Sequence, residues 1–129
     1  MIAVDTNALV RFFVHDDATQ AAAATALIRS DEIWITKTVL LEAEWVLRSL
    51  YGFTPQGVAG ALRGVAGIPT VFLEDEVAVT RALDWFAQGL DFADALQLAS
   101  TGRARQFATF DQKLIKQAAR FTGIETISL

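Results

Sequence analysis

Short apolar runs alternate with apolar stripes at helical spacing along most of this chain. Ile2-Ala3-Val4 is brief, continuous and apolar, the pattern of a strand covered on both faces, and it stops at Asp5, Thr6 and Asn7. Asn7 can cap a short helix from Ala8 to Val14. Ala21, Ala24, Thr25 and Ile28 then recur at helical spacing and predict a helix from about Ala18 to Arg29, ended by Ser30-Asp31. Ile33 to Thr36 reads as a second strand. From Thr38 to Leu50 the apolar residues Leu40, Leu41, Val46, Leu47 and Leu50 predict a helix that carries Glu42 and Glu44 and ends at Tyr51-Gly52.

Thr54-Pro55 opens another helix with proline in its first turn, and Gly67 with Pro69 closes it. Thr70 to Leu73 is a third strand, Asp75 to Gly89 and Phe92 to Gly102 are helices, and Phe107 to Phe110 is a fourth strand. A last helix runs from Gln112 to about Phe121, and Glu125 to Ser128 forms a fifth strand. Strands separated by helices imply a parallel sheet with right-handed crossovers. The expected fold class is α/β: a three-layer α/β/α domain with a central, about five-stranded parallel sheet. No linker or repeat divides the chain, so residues 1–129 read as a single domain.

Composition narrows the function. The 129 residues are 53% hydrophobic, enough for a substantial core and too many for disorder. The absence of cysteine excludes disulfides, thiolate nucleophiles and zinc-thiolate sites. The N-terminus lacks a signal peptide's basic flank and long apolar core, and no apolar run approaches the roughly 20 residues of a membrane span. A cytoplasmic protein without a membrane partner is the expectation. A net charge of -4 argues against binding nucleic acid by overall charge. Locally the balance reverses, because Arg103, Arg105, Lys113, Lys116 and Arg120 face the single acid Asp111 in that stretch. These cations read either as solvated helix faces or as a phosphate-contacting surface.

In a parallel sheet, ligands bind beyond the carboxyl ends of the strands. Asp5 ends the first strand, Asp111 ends the fourth in ATFD, and Asp94 lies at the start of the helix in LDFADALQLAS, with Glu42 as a possible fourth acid. Clustered carboxylates repel one another unless protons or cations share the site, and hard oxygen ligands favour Mg²⁺ or Mn²⁺. Each acid also has a structural reading. Asp111 precedes a helix and can be its N-cap, while Asp91 and Asp94 fit a capping box in which Asp91 caps. Glu42 and Glu44 face different directions, and Glu42, after Val39-Leu40-Leu41, is the better inward-facing candidate. Asp5 resists the capping explanation because it directly ends a strand. His15, the only histidine, sits in a polar HDD stretch and weakens any Ser-His-Asp triad. Phosphate-binding glycine loops are absent, and Trp34, Trp45 and Trp85 read as core or interface residues.

Taken in order, AVDTN, LLEAEWVLRSLYG, DFADAL and ATFD resemble the PIN domain, and in particular the ribonuclease toxins of bacterial VapBC-type toxin-antitoxin pairs (VapC). The resemblance runs from Met1 to Leu129. It implies a metal-dependent endoribonuclease whose acid quartet falls on Asp5, Glu42, Asp94 and Asp111, as catalytic residues and as ligands of Mg²⁺ or Mn²⁺. Asp91 matches a frequent additional acid, and Thr6, Asn7 and Thr109 match supporting polar positions. Members often carry His where this chain has Gln97. The resemblance further implies an RNA substrate cut to a 5′-phosphate and a 3′-hydroxyl, a homodimer, and a cognate antitoxin whose C-terminal segment obstructs the acidic site. Phe12, Phe13, Trp45, Tyr51 and Phe53 could serve such contacts or the core. Two other readings are a PIN nuclease of RNA processing and a Mg²⁺-binding receiver-type signalling module. The second fits poorly, since Asp5 stands alone and Leu73-Glu74-Asp75 offers no good phosphoacceptor.

Overall fold

Five short strands and seven helices form in the computed structural model, which describes residues 1–129, and they alternate as the apolar pattern predicts. All strand pairings are parallel, so the mixed α/β class holds. The strands pair as a three-stranded and a two-stranded sheet, where one sheet of about five is the sequence expectation. The chain divides accordingly into two units, Met1–Glu76 and Val77–Leu129.

In the first unit, β1 (Ile2–Ala3), β2 (Ile33–Ile35) and β3 (Val71–Leu73) lie in that order, with Ile33 opposite both Ile2 and Val71. The central strand is β2, and its Ile33 and Ile35 are fully buried. The expectation that β1 is covered on both faces is corrected: Ile2 and Ala3 are exposed on an edge strand, and burial begins at Val4. Around this sheet come α1 (Thr6–Phe13), α2 (Ala18–Ser30), α3 (Lys37–Tyr51) and α4 (Pro55–Ala66). Thr36 caps α3 by accepting the Val39 N–H at 3.3 Å, and Gly52 ends it with φ 68, a left-handed conformation that suits glycine. Leu40, Ala43 and Leu47 bury one stripe of α3, while Val58, Leu62 and Val65 bury one of α4. Each buried leucine contributes about 1.5–3 kcal/mol.

Two polar ties hold the loops of this unit. Tyr51 donates to Asp16 Oδ2 at 3.0 Å, and Arg11 bonds both Asp16 and the Tyr51 hydroxyl, linking the ends of α1 and α3. Tyr51 is therefore engaged within its own unit. After β3, Glu74 Oε1 accepts the Lys37 N–H at 2.8 Å and Asp75 pairs with Lys37 Nζ at 3.1 Å, which fixes the start of α3.

The second unit contains the rest of α5 (Glu76–Ala87), then α6 (Phe92–Ala99), β4 (Phe107–Thr109), α7 (Gln112–Phe121) and β5 (Thr126–Ser128). Phe86 and Phe92 meet edge to face at 5.4 Å, and Phe92 is fully buried. Helix α6 ends at Ala99, short of the expected Gly102, and Ser100 is its C-cap. Thr109 lies opposite Ser128, and the Leu129 N–H bonds the Thr109 carbonyl at 3.0 Å, so the end of β4 is held in register. No helix is long and apolar enough to cross a membrane.

Candidate active site

Two carboxylates of the second unit, Asp91 and Asp111, act on a third, Asp94. Asp91 is the N-cap of α6, its Oδ2 accepting the Asp94 N–H at 3.2 Å. Asp94 stands half-buried in the first turn of α6. Asp111 caps α7, its Oδ1 accepting the Leu114 N–H at 3.1 Å. The Asp94 carboxyl is pushed above the ordinary aspartate range, first by burial and then by the negative charges of Asp91 and Asp111. A helix N-terminus normally favours an anion, so this rise means that desolvation and like charge outweigh the helix dipole. Thr109 Oγ1 accepts the Asp111 N–H at 3.0 Å and so sets the backbone that carries Asp111. Gln97 is exposed on the same helix as Asp94.

In the first unit Val4 and Asp5 alone connect β1 to α1. Contrary to expectation Asp5 is a cap: its Oδ1 accepts the Ala8 N–H at 2.9 Å. Asn7, expected in that role, lies inside α1 and is exposed, while Thr6 is the first helical residue. The reason is local, since only Val4 lies between β1 and the capping residue, and the residue ending the extended segment is also the one that starts the helix. Asp5, Asn7, Arg11 and Gln20 line a groove of about 270 Å³ over Ala23, Ala24 and Leu27. Arg11 was not among the sequence candidates; its signal is the spacing Asn7 to Arg11, one helical turn on the same face.

Glu42 and Glu44 exchange their expected environments. Glu42 is exposed, and Glu44 is the buried acid, 3% exposed and bonded by Arg48 Nε at 2.8 Å. The apolar run before Glu42 suggested the reverse, whereas Leu40, Ala43 and Leu47 set the phase of the buried stripe and carry Glu44 inward. His15 is exposed and lines a separate shallow groove along α2, with no place in the acid set. Trp85 is buried as expected of a core tryptophan, but Trp45 is 52% exposed on α3.

The donors fit a hard divalent cation in kind: they are carboxylate oxygens, and the Asp94, Asp91 and Asp111 charges repel when unneutralised. No three acidic or histidine side chains in either unit are already gathered as a ligand shell. The PIN domain profile matches residues 2–120, a span that takes in Asp5, Glu42, Asp91, Asp94, Thr109 and Asp111. No curated protein matches this chain.

Proposed function

Because this chain belongs to the PIN domain family, whose members are generally metal-dependent nucleases, we propose that it is an Mg²⁺- or Mn²⁺-dependent endoribonuclease and the toxin of a toxin-antitoxin pair. The observation that carries the reading is the family match over residues 2–120, and half-buried Asp94, whose ionisation burial and the charges of Asp91 and Asp111 disfavour, accords with it. Such a carboxylate group is costly alone and favourable around a cation. Asp5, Glu42, Asp94 and Asp111 are the proposed ligands, assigned on the family's order of acids. When bound, a divalent ion supplies charge neutralisation at the phosphodiester and acidifies the attacking water.

The chain's own residues do the positioning. Asp5, Asp91 and Asp111 each keep one oxygen on a backbone N–H, which restrains the carboxylate on a helix N-terminus. Thr109 orients the Asp111 backbone, and Thr6 and Asn7 stand at the start of α1 beside Asp5. Exposed Arg103, Arg105, Lys113, Lys116 and Arg120 offset the net charge of -4 where phosphates approach. The profile match runs through both units and supports reading residues 1–129 as one nuclease domain.

The finer assignments have their own support. The groove beside Asp5, with its apolar floor and Arg11 on its wall, suits a segment of the cognate antitoxin. Trp45, 52% exposed on α3, suits a contact in a homodimer face. A cytoplasmic location accords with an RNA substrate. The test is cleavage of a panel of tRNA, ribosomal fragments and mRNA with Mg²⁺ or Mn²⁺, beside an Asp94→Asn preparation and a chelator control. Cleavage lost in both controls supports the nuclease; none by folded, partner-free protein refutes it. Growth arrest on expression, relieved by the product of an adjacent gene, tests the toxin role.

A further inference from the structure

Phe110 is the most exposed of the chain's large apolar side chains, 79% open, although it stands between Thr109 and Asp111 where β4 passes into α7. Its backbone is not loose. On either side the Thr109 carbonyl accepts from Leu129 N and the Asp111 N–H is bonded to Thr109 Oγ1, both at 3.0 Å. An aromatic ring held this way beside an acid of the proposed site is poorly explained by packing, because it packs against little. It is well suited to stacking on an unpaired base.

From the same corner α7 presents a row of cations. Lys113, Lys116 and Arg120 are all exposed and follow one another at spacings of three and four residues, so they share one helix face. Leu114 and Ala118 bury a different face of α7. Lys113 and Lys116 enter no ion pair, and Arg120 rests against the Phe121 ring at 4.9 Å. The three cations advance about 4.5 and then 6 Å along the helix axis. A row of this kind on a chain of net charge -4 stands out against its own background, and it starts within one helical turn of Asp111.

We infer that Phe110 and the Lys113–Lys116–Arg120 face of α7 form the track for single-stranded RNA: Phe110 stacks a base next to the acids, and α7 follows the phosphates leading away from them. This rests on the nuclease reading and adds to it the residues that seat the strand beside the acids, a stacking ring at the end of β4 and a phosphate-following face of α7. A second copy of the chain is the competing occupant of Phe110. RNA is favoured because exposed Phe110 is followed within three residues by an exposed acid, Asp111, and an exposed cation, Lys113, where a protein interface core would be depleted of charge.

The full chain is tested by fluorescence anisotropy with a labelled single-stranded RNA in Ca²⁺, beside cleavage in Mg²⁺ and sedimentation. Phe110→Ala is expected to weaken binding about 10-fold while Phe110→Trp retains it. The same alanine change should be silent against an RNA made abasic throughout. The double variant Lys113→Ala with Lys116→Ala is expected to reduce the slope of log affinity against log salt by about 1.4. Wild-type cleavage with unchanged binding by these variants overturns the track and leaves the nuclease standing. A change in sedimentation without a change in RNA affinity also overturns it and assigns Phe110 to a protein interface. Wild-type protein that neither binds nor cleaves RNA overturns both.

Discussion

Asp111 has two roles that a pair of substitutions separates. Its Oδ1 accepts the Leu114 N–H at 3.1 Å and caps α7, and its charge helps to push the Asp94 carboxyl upward. Asp111→Ala removes the cap and the charge together. The lost cap costs about 1 kcal/mol, and the lost interaction with the helix dipole costs about 0.3–1 kcal/mol more. Relief of the repulsion with Asp94 returns part of this, so a net loss of about 1 kcal/mol is expected, seen as a melting temperature roughly 4 °C lower for a chain of this size. Asp111→Asn keeps a cap of equal quality, because an asparagine side-chain oxygen accepts the same N–H. Its dipole loss and its relief of repulsion oppose each other, and its stability should stay within about 0.5 kcal/mol of wild type.

Cleavage should follow the charge and ignore the cap. Both variants are expected to lose about 100-fold or more in rate, the loss of roughly 2.7 kcal/mol of transition-state stabilisation. Thermal unfolding by circular dichroism in chelator, read beside single-turnover cleavage in Mg²⁺, makes the comparison. Asp111→Asn cleaving at the wild-type rate would show that Asp111 serves α7 alone, and would remove it from the proposed ligand set.

Asp94 gives a pH signature. Because its carboxyl is raised in the folded chain, ionised Asp94 disfavours folding: its contribution is best at low pH and is lost as pH rises through the folded pKa. Metal-free Asp94→Asn should therefore melt above wild type at neutral pH, with the gap closing as pH falls below the ordinary aspartate range; a constant gap across pH would contradict this. Arg48→Ala leaves the buried Glu44 carboxylate without the 2.8 Å bond from Arg48 and should cost about 1–3 kcal/mol by urea unfolding, with cleavage per folded molecule unchanged. Exposed Glu42 should behave oppositely, Glu42→Gln losing cleavage while stability moves by less than about 0.5 kcal/mol. Gly52→Ala meets no heavy atom within 4 Å, so its cost is that of φ 68 alone, about 1 kcal/mol, and a melting temperature unchanged by it would refute that assignment.

Local elements were more legible than their pairing. Helix α7 runs over Gln112–Phe121, as its cap and spacing predict, because both signals lie within the helix itself. Strand β1 is different: its apolar residues show that it can be buried, but whether it is depends on which strands come to lie beside it, and the first unit leaves it at an edge. On α3, two residues of separation already imply that Glu42 and Glu44 diverge. Which one turns inward follows from the phase of the whole stripe, so Ala43, small and easily overlooked beside Leu41, carries the deciding information. A run of adjacent apolar residues has no phase and could not decide it.

Capping and metal chemistry stood as rival explanations for the acids, and the structure makes them compatible. Asp5, Asp91 and Asp111 each use one carboxylate oxygen to hold a backbone N–H, at 2.9, 3.2 and 3.1 Å. A carboxylate has two oxygens, so the cap bond restrains the side chain while leaving a second oxygen for a cation or a phosphate-bound proton. The same bond removes rotamer freedom that an ordinary surface aspartate would lose only on binding, and it does so at a helix N-terminus, where negative charge is tolerated without a cation. Asp94, though in the first turn of α6, caps no backbone N–H, and burial makes it the acid whose ionisation is disfavoured. Neutralisation by a cation should therefore matter most there, which is why Asp94→Asn is the variant whose metal-free stability and activity are expected to move in opposite directions.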